Sequence, residues 1–356
     1  MWIPQPYPHR PDLFEPVRPD PTGESGPTRA EVRTPNWVRT SAGRYLPAKA
    51  DLGNPEQRIL TARPLVGESA AVTGWAALRW MGAGWFSGSD ASGSVLPVPI
   101  SSTRWMSAPT GFRISQEFRM PGEQLDIDGL SVTPADRSIC FVIRHATSWR
   151  EGVVALDMAA QADLVSIGEA AAYTATLNRW TGVENCRQAV QYADENAWSP
   201  RESMMRLVWE CDAGLPRPLT NRPVFDSGGR LVAVPDLIDP EAGVVGEYDG
   251  AVHLVGRQRA SDIRREAELR ALGLEYVTMV ADDWSDRGGR FIDRLHQAYR
   301  RASGRSRRQR HWSLEPPGWW RPTDTVTLRR ALSESERQRL LGFRRVSSQS
   351  LGRAPA

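Results

Sequence analysis

The chain has 356 residues, 40% hydrophobic content and a net charge of +3, which is enough apolar material for two modest cores plus tails. No apolar run approaches the ~18–20 residues of a membrane span, and the proline-rich start, MWIPQPYPHRPDLFEPVRPDP, lacks a hydrophobic signal core, so a cytoplasmic protein is expected. Cys140, Cys186 and Cys211 are too scattered for a disulfide framework or a zinc pattern.

Residues 1–35 hold many prolines and charges with little apolar patterning and read as a flexible leader. NWVRTSAGRYLPA then reads as a short β-hairpin closing on Tyr45 and Pro47, with Gly43 in the turn. Residues 54–66 suit a helix, and in AAVTGWAALRWMGAG the side chains of Val72, Trp75, Leu78 and Met81 fall near one helical face. VLPVPIS, GFRISQEF and LDIDGLSVTP, within residues 87–135, are strand-like pieces between turn residues. SVTPADRSICFVIRHA reads as a strand and then a helix with Thr133 as N-cap and Pro134 at its first position. Helical pieces continue to about residue 197.

The following segment has the order α-β-β-β-α-β-α. A helix from Pro200 ends at Gly214, and two strands flank a Ser-Gly-Gly turn. VVGEYDG is a third strand, SDIRREAELRALGL a helix, EYVTMV a fourth strand and GRFIDRLHQAYRRA the last helix. The overall fold class is therefore α/β: a C-terminal mixed sheet flanked by helices, behind an N-terminal α+β domain.

VPDLIDPEAGVVGEYDGAVH sets three carboxylates among strand-forming residues. Leu231–Leu237 and Val244–Gly250 read as adjacent strands, with Glu247 and Asp249 on one face and Asp236 near the end of its neighbour. Carboxylates held that close repel unless a proton or cation intervenes. Hard oxygen ligands on rigid strands suit Mg²⁺ or Mn²⁺ and phosphodiester hydrolysis. Glu202 has two readings, a capping box in Ser199-Pro200-Arg201-Glu202 or a further metal ligand. His253 is either a surface histidine or a base titrating near neutrality.

SPRES, PDLID, GEYDGAVH, DIRREAELRALGL and VTMVADDW occur in this order across residues 197–302. This stretch resembles the endonuclease-like domain related to the very-short-patch-repair endonucleases, in the PD-(D/E)xK superfamily. The resemblance implies a restriction-endonuclease-like sheet acting on DNA. It assigns Asp236 to the PD acid, Glu247 to the (D/E) position and Glu202 to the helical acid, with Asp236, Glu247 and Glu202 holding Mg²⁺ or Mn²⁺. It also assigns His253 to the histidine after the Glu-x-Asp-Gly motif, and Asp262 and Arg265 to the helix that follows. Asp249 stands where the superfamily has lysine, and Lys49 is the sole lysine in the chain, so the role of positioning water falls to His253 or Arg265.

NWVRTSAGRYLP, VTGWAALRWMG and IDGLSVTPADRSICFV are similar to motifs of the AbiEi-type antitoxins, which carry a winged-helix DNA-binding head and an α/β antitoxin domain. The head is shortened here, because residues before Trp37 do not read as a helix. The resulting division is 1–35 leader, 36–196 antitoxin-like domain, 197–302 endonuclease-like domain and 303–356 basic tail. Residues 301–356 carry +9, leaving −6 for the first 300. That tail suits either a polyanion or plain solvation. Its Trp312, Trp319 and Trp320 suit either base stacking or packing back on the protein. Two functions follow: a Mg²⁺-dependent DNA endonuclease in repair or defence, or a non-catalytic DNA-binding regulator or antitoxin with a toxin or other protein partner.

Overall fold

The computed structural model describes residues 2–40, 43–90, 92–250, 256–305 and 310–350; side chains of 256–262 and 343–350 fall outside the description. The chain divides into two compact units, one of residues 1–146 with 168–186, the other of residues 147–167 with 187–356. Among the described residues no helix is long and apolar enough to cross a membrane.

The first unit begins with ordered structure where a flexible leader was expected. β1 (Pro6–Tyr7) pairs antiparallel with β2 (Arg10–Phe14). Tyr7 and Leu13 are buried, the Tyr7 hydroxyl donates to the Asp128 carbonyl at 2.5 Å, and Arg10 reaches the Asp128 carboxylate. Few apolar residues suffice here because they insert into a core built by later segments. The expected hairpin is present as β3 (Trp37–Arg39) and β4 (Tyr45–Pro47), with Gly43 at φ +69°.

α1 (Pro55–Leu60) is N-capped by Asn54, and β5 (Ala70–Val72) precedes α2 (Gly74–Trp80). Val72 thus lies on a strand, and the helix carrying Trp75 and Leu78 starts only after it. Gly74 sits at φ +58°, a backbone state that breaks the continuous helical reading. β6 (Val98–Ser102), β7 (Phe112–Ser115), β8 (Leu125–Ile127) and β9 (Leu130–Val132) complete a five-stranded sheet in the order β7-β6-β5-β9-β8. α3 (Ala135–Arg144) follows, entered one residue later than the sequence suggests. The chain passes to the second unit for α4 (Trp149–Gln161), returns for α5 (Ile167–Thr176), and leaves through α6 (Val183–Tyr192).

The second unit is built on α7 (Pro200–Leu207), continued by one wide helical turn to Asp212. β10 (Leu219–Thr220) comes next, then β11 (Val224–Asp226) and β12 (Leu231–Ala233). β13 (Leu237–Asp239) and β14 (Val244–Asp249) follow. The strand expected over residues 231–237 is broken. Pro235 has no N–H to give to a ladder, so β12 pairs with β11 in one sheet and β13 with β14 in another. α8 (Gly256–Ala271), β15 (Glu275–Val280) and α9 (Gly289–Ser303) complete the core.

The main sheet runs β10-β13-β14-β15, antiparallel except for the parallel pair β14–β15 that α8 connects. One face buries Leu237, Val244, Val277 and Met279 against Met205, Trp209 and residues of α9. The other buries Ile238, Val245 and Tyr276 with Leu269 and Leu274. Alternation along each strand separates the two sets. Gly246 faces the Trp209 ring, which a Cβ would meet at 2.8 Å.

The basic tail is largely structural. β16 (Trp312–Ser313) pairs with β11, and Trp319 and Trp320 contact Phe225 edge-on. α10 (Val326–Arg330) buries Val326 and Arg329, and α11 (Glu334–Ser350) is the last element. The Arg329 guanidinium donates to Asp163 at 2.6 Å and to the Ala160 and Thr323 carbonyls. Removing residues 303–356 would leave Asp163 without its buried cation and uncover the Phe225 side of the small sheet. The truncated protein is expected to lose more than about 3 kcal/mol of stability. A thermal melt matching that of the full chain would show the tail to be mere solvated decoration.

Candidate functional site

The carboxylates meet at one rung of the main sheet. Thr220 pairs with Leu237, Leu237 with Gly246, and Gly246 with Val277. One step along, the Asn221 N–H donates to the Asp236 carbonyl at 2.9 Å, and Glu247 pairs with Thr278. On this register Asp236 stands opposite Glu247. Directly opposed residues share a face, so the two carboxylates project to the same side, the side of Ile238 and Val245. Asp249, two residues on from Glu247, has the same parity and lies exposed at the strand end.

Each carboxylate is held differently. The Asp236 Oδ2 accepts the Tyr248 N–H at 2.7 Å. Burial pushes Asp236 up to about 6, against the opposing pull of that N–H and of the Arg265 charge. Glu247 is buried, and its Oε2 accepts from the Arg265 Nη2 at 2.5 Å. Tyr276 lies close to it, its hydroxyl pushed up by burial and by the Glu247 charge. Arg265 comes from α8, whose apolar Leu269 anchors it on this face.

Glu202 enters from the start of α7. Ser199 caps that helix, accepting the Glu202 N–H at 3.3 Å, with Pro200 at the first position. The Glu202 Oε2 in turn accepts the Trp198 N–H at 2.9 Å, one residue before the cap, so the capping reading of this sequence is realised. The same oxygen accepts the Asn221 Nδ2 at 2.7 Å. Burial first, and the charge of Asp236 second, push Glu202 up to about 8. Capping and proximity to Asp236 therefore coexist in one side chain.

Asn221 is the residue that sequence reasoning missed. Its backbone lies at φ +49°, and its side chain is buried between Glu202 and the Asn196 carbonyl, to which it donates at 2.8 Å. The signal available in the sequence was slight: an asparagine tolerates the left-handed region better than most residues. His253 lies outside the described residues, as does the side chain of Asp262.

Among the described residues no three Asp, Glu, His or Cys side chains are gathered closely enough to form a metal cage. The expected three-carboxylate set of Asp236, Glu247 and Glu202 is thus not preassembled, because the Arg265 guanidinium holds Glu247. What is present suits a Mg²⁺ ion of the loosely held kind, bound through one or two carboxylates and otherwise by water and phosphate. Glu202 and Asp236 are hard oxygen donors in mutual repulsion, which a divalent cation would relieve.

The chain matches no protein-family model, no curated protein and no solved structure. The functional argument therefore stands on the site itself.

The raised carboxyl of Glu202 has a measurable consequence. Its ordinary value is 4.5 and its folded value about 8. Between these, the folded state keeps a proton that the unfolded chain has released, so stability falls as pH rises. In chelator, the wild-type protein is expected to lose stability from pH 6 to pH 8 relative to Glu202→Gln, by at most about 1.4 kcal/mol per unit. Parallel pH profiles in urea denaturation would refute the shift.

Proposed function

We propose that the C-terminal unit is a divalent-cation-dependent phosphodiesterase acting on DNA, with Glu202 and Asp236 holding the cation. The observation that carries this reading is the pair of coupled, buried carboxylates, set on the same rung as Glu247 and bordered by the Arg265 guanidinium. Bound Mg²⁺ or Mn²⁺ would polarise the phosphoryl oxygen and lower the pKa of a coordinated water.

The protein's own groups have defined tasks in this reading. Asp236 is aimed by the Tyr248 N–H, which fixes one oxygen and leaves the other for the cation. Glu202 is oriented by its cap and by Asn221. Arg265, whose side chain is 39% exposed, exchanges Glu247 for a phosphate oxygen when substrate arrives. Glu247, released from that ion pair, becomes available to the cation or to the attacking water. His253, a few residues beyond β14 in sequence, carries the proton. Asp249 occupies the strand end where a lysine would otherwise stabilise developing charge.

The test is cleavage of supercoiled, linear, nicked and single-stranded DNA, with Mg²⁺, with Mn²⁺ and in chelator. Cation-dependent cleavage of at least one form is the expected result. A second reading, a DNA-binding regulator or antitoxin that does not cut, is favoured by one observation: Arg265 already neutralises Glu247 without any cation. DNA binding by a protein that cleaves no form in any metal would establish that reading in place of the first.

A further inference from the structure

Asn221 has one polar atom left over. Its Nδ2 donates both to the Asn196 carbonyl at 2.8 Å and to the Glu202 Oε2 at 2.7 Å. Both partners are acceptors, so the amide orientation is forced: nitrogen toward them, oxygen away. The Oδ1 is buried and accepts no hydrogen bond, in a residue only 3% exposed. A buried carbonyl oxygen left in that state is costly and needs an explanation, such as water or an ion.

The backbone supports the same conclusion. Asn221 is held at φ +49°, left-handed for a non-glycine residue. Its N–H is fixed on the Asp236 carbonyl, so its position relative to that strand is set by the sheet. It also lines a cavity of about 50 Å³ with Asn196, Trp198 and Arg222, room for a water or two beside the amide. The asparagine is thus bonded to one acid of the site, adjacent in register to the other, and carries an unused oxygen.

We propose that Asn221 is a direct ligand of the divalent cation, its Oδ1 adding a neutral oxygen to those of Glu202 and Asp236. This rests on the cation reading above and names a ligand that reading does not contain. A neutral amide oxygen is a normal donor to hard cations, and it adds no repulsion to a site that already holds two carboxylates. It also accounts for a two-carboxylate site having a third protein oxygen without a third acid.

Mn²⁺ binding to the full-length protein tests this, measured by electron paramagnetic resonance and calorimetry without DNA, on wild type, Asn221→Gly and Asn221→Asp. Glycine removes the amide while accepting the positive φ; aspartate keeps an oxygen at the same place but loses both N–H donors. The expected result is an affinity at least about tenfold weaker for Asn221→Gly and undiminished for Asn221→Asp. Asn221→Gly binding as wild type does overturns the proposal. So does an equal loss in both variants, since Asn221 would then act only through its bonds to Glu202 and Asn196. Should Asn221→Gly lack a cooperative melt, Asn221→Asp decides alone: undiminished affinity supports the proposal and weakened affinity overturns it. Wild-type protein that binds no Mn²⁺ at millimolar concentration fails the cation reading itself, a different outcome from wild-type binding that Asn221→Gly leaves intact.

Discussion

Asp236→Asn is expected to reduce cation-dependent DNA cleavage by roughly a thousandfold or more, because a lost charged ligand removes several kcal/mol of transition-state stabilisation. The substitution keeps the side-chain oxygen that accepts the Tyr248 N–H, so the sheet should stay intact. It also removes a buried negative charge near Glu202, so stability in chelator should be unchanged or higher. Glu247→Gln is expected to act similarly on cleavage while freeing Arg265 from its ion pair. Arg265→Ala should slow cleavage and leave Mn²⁺ affinity in place, if its task is the phosphate. Initial rates on supercoiled DNA, with a circular dichroism melt for each variant, measure all three. Equal background nicking by wild type and both carboxylate variants, in Mg²⁺ and in Mn²⁺, would remove the enzymatic reading.

Arg206→Met is expected to cost about 3–5 kcal/mol of stability. The Arg206 and Asp157 side chains are wholly buried and joined at 2.8 Å, and Arg206 also donates to the Tyr192 carbonyl at 2.5 Å. Asp157 further accepts the Asp194 N–H at 2.7 Å. Deleting the arginine strands a carboxylate in the core of the second unit. Replacing both partners, Asp157→Leu with Arg206→Met, should recover much of the loss, because two desolvated charges are exchanged for apolar contact. Urea denaturation of the two single variants and the double variant closes the cycle. Additive losses would show that the pair is not energetically coupled. Arg206 lies one turn beyond Glu202 on α7, so the single variant should also weaken cation binding by loosening the helix that presents Glu202.

The order of elements in the second unit was readable from local pattern. EYVTMV has the alternation of a strand, and β15 spans those six residues. Ser199-Pro200-Arg201-Glu202 carries a helix-start signal, and the cap forms there. Pro235 could have warned that residues 231–237 are not one strand, since proline cannot donate to a ladder. The ordered leader was not readable: Tyr7 and Leu13 are isolated apolar residues whose burial depends on partners far along the chain, such as Asp128. The tail misled for the opposite reason. Arginines dense in sequence suggest a polyanion, yet Arg329 is buried on Asp163, 166 positions away.

The sequence by itself determined which residues can do chemistry: Asp236, Glu247 and Glu202 as hard donors, Arg265 as a phosphate-sized cation, and no lysine after Lys49. It also determined that Glu247 and Asp249 share a face, because side-chain direction alternates along any strand. Only the tertiary structure decided how those groups meet. Register placed Asp236 opposite Glu247, a helix from beyond the sheet brought Arg265 onto Glu247, and a left-handed asparagine was set against Glu202. Charge state was likewise decided there, since a carboxyl rises only when burial removes water and a second carboxyl lies near. Neither condition is local in sequence.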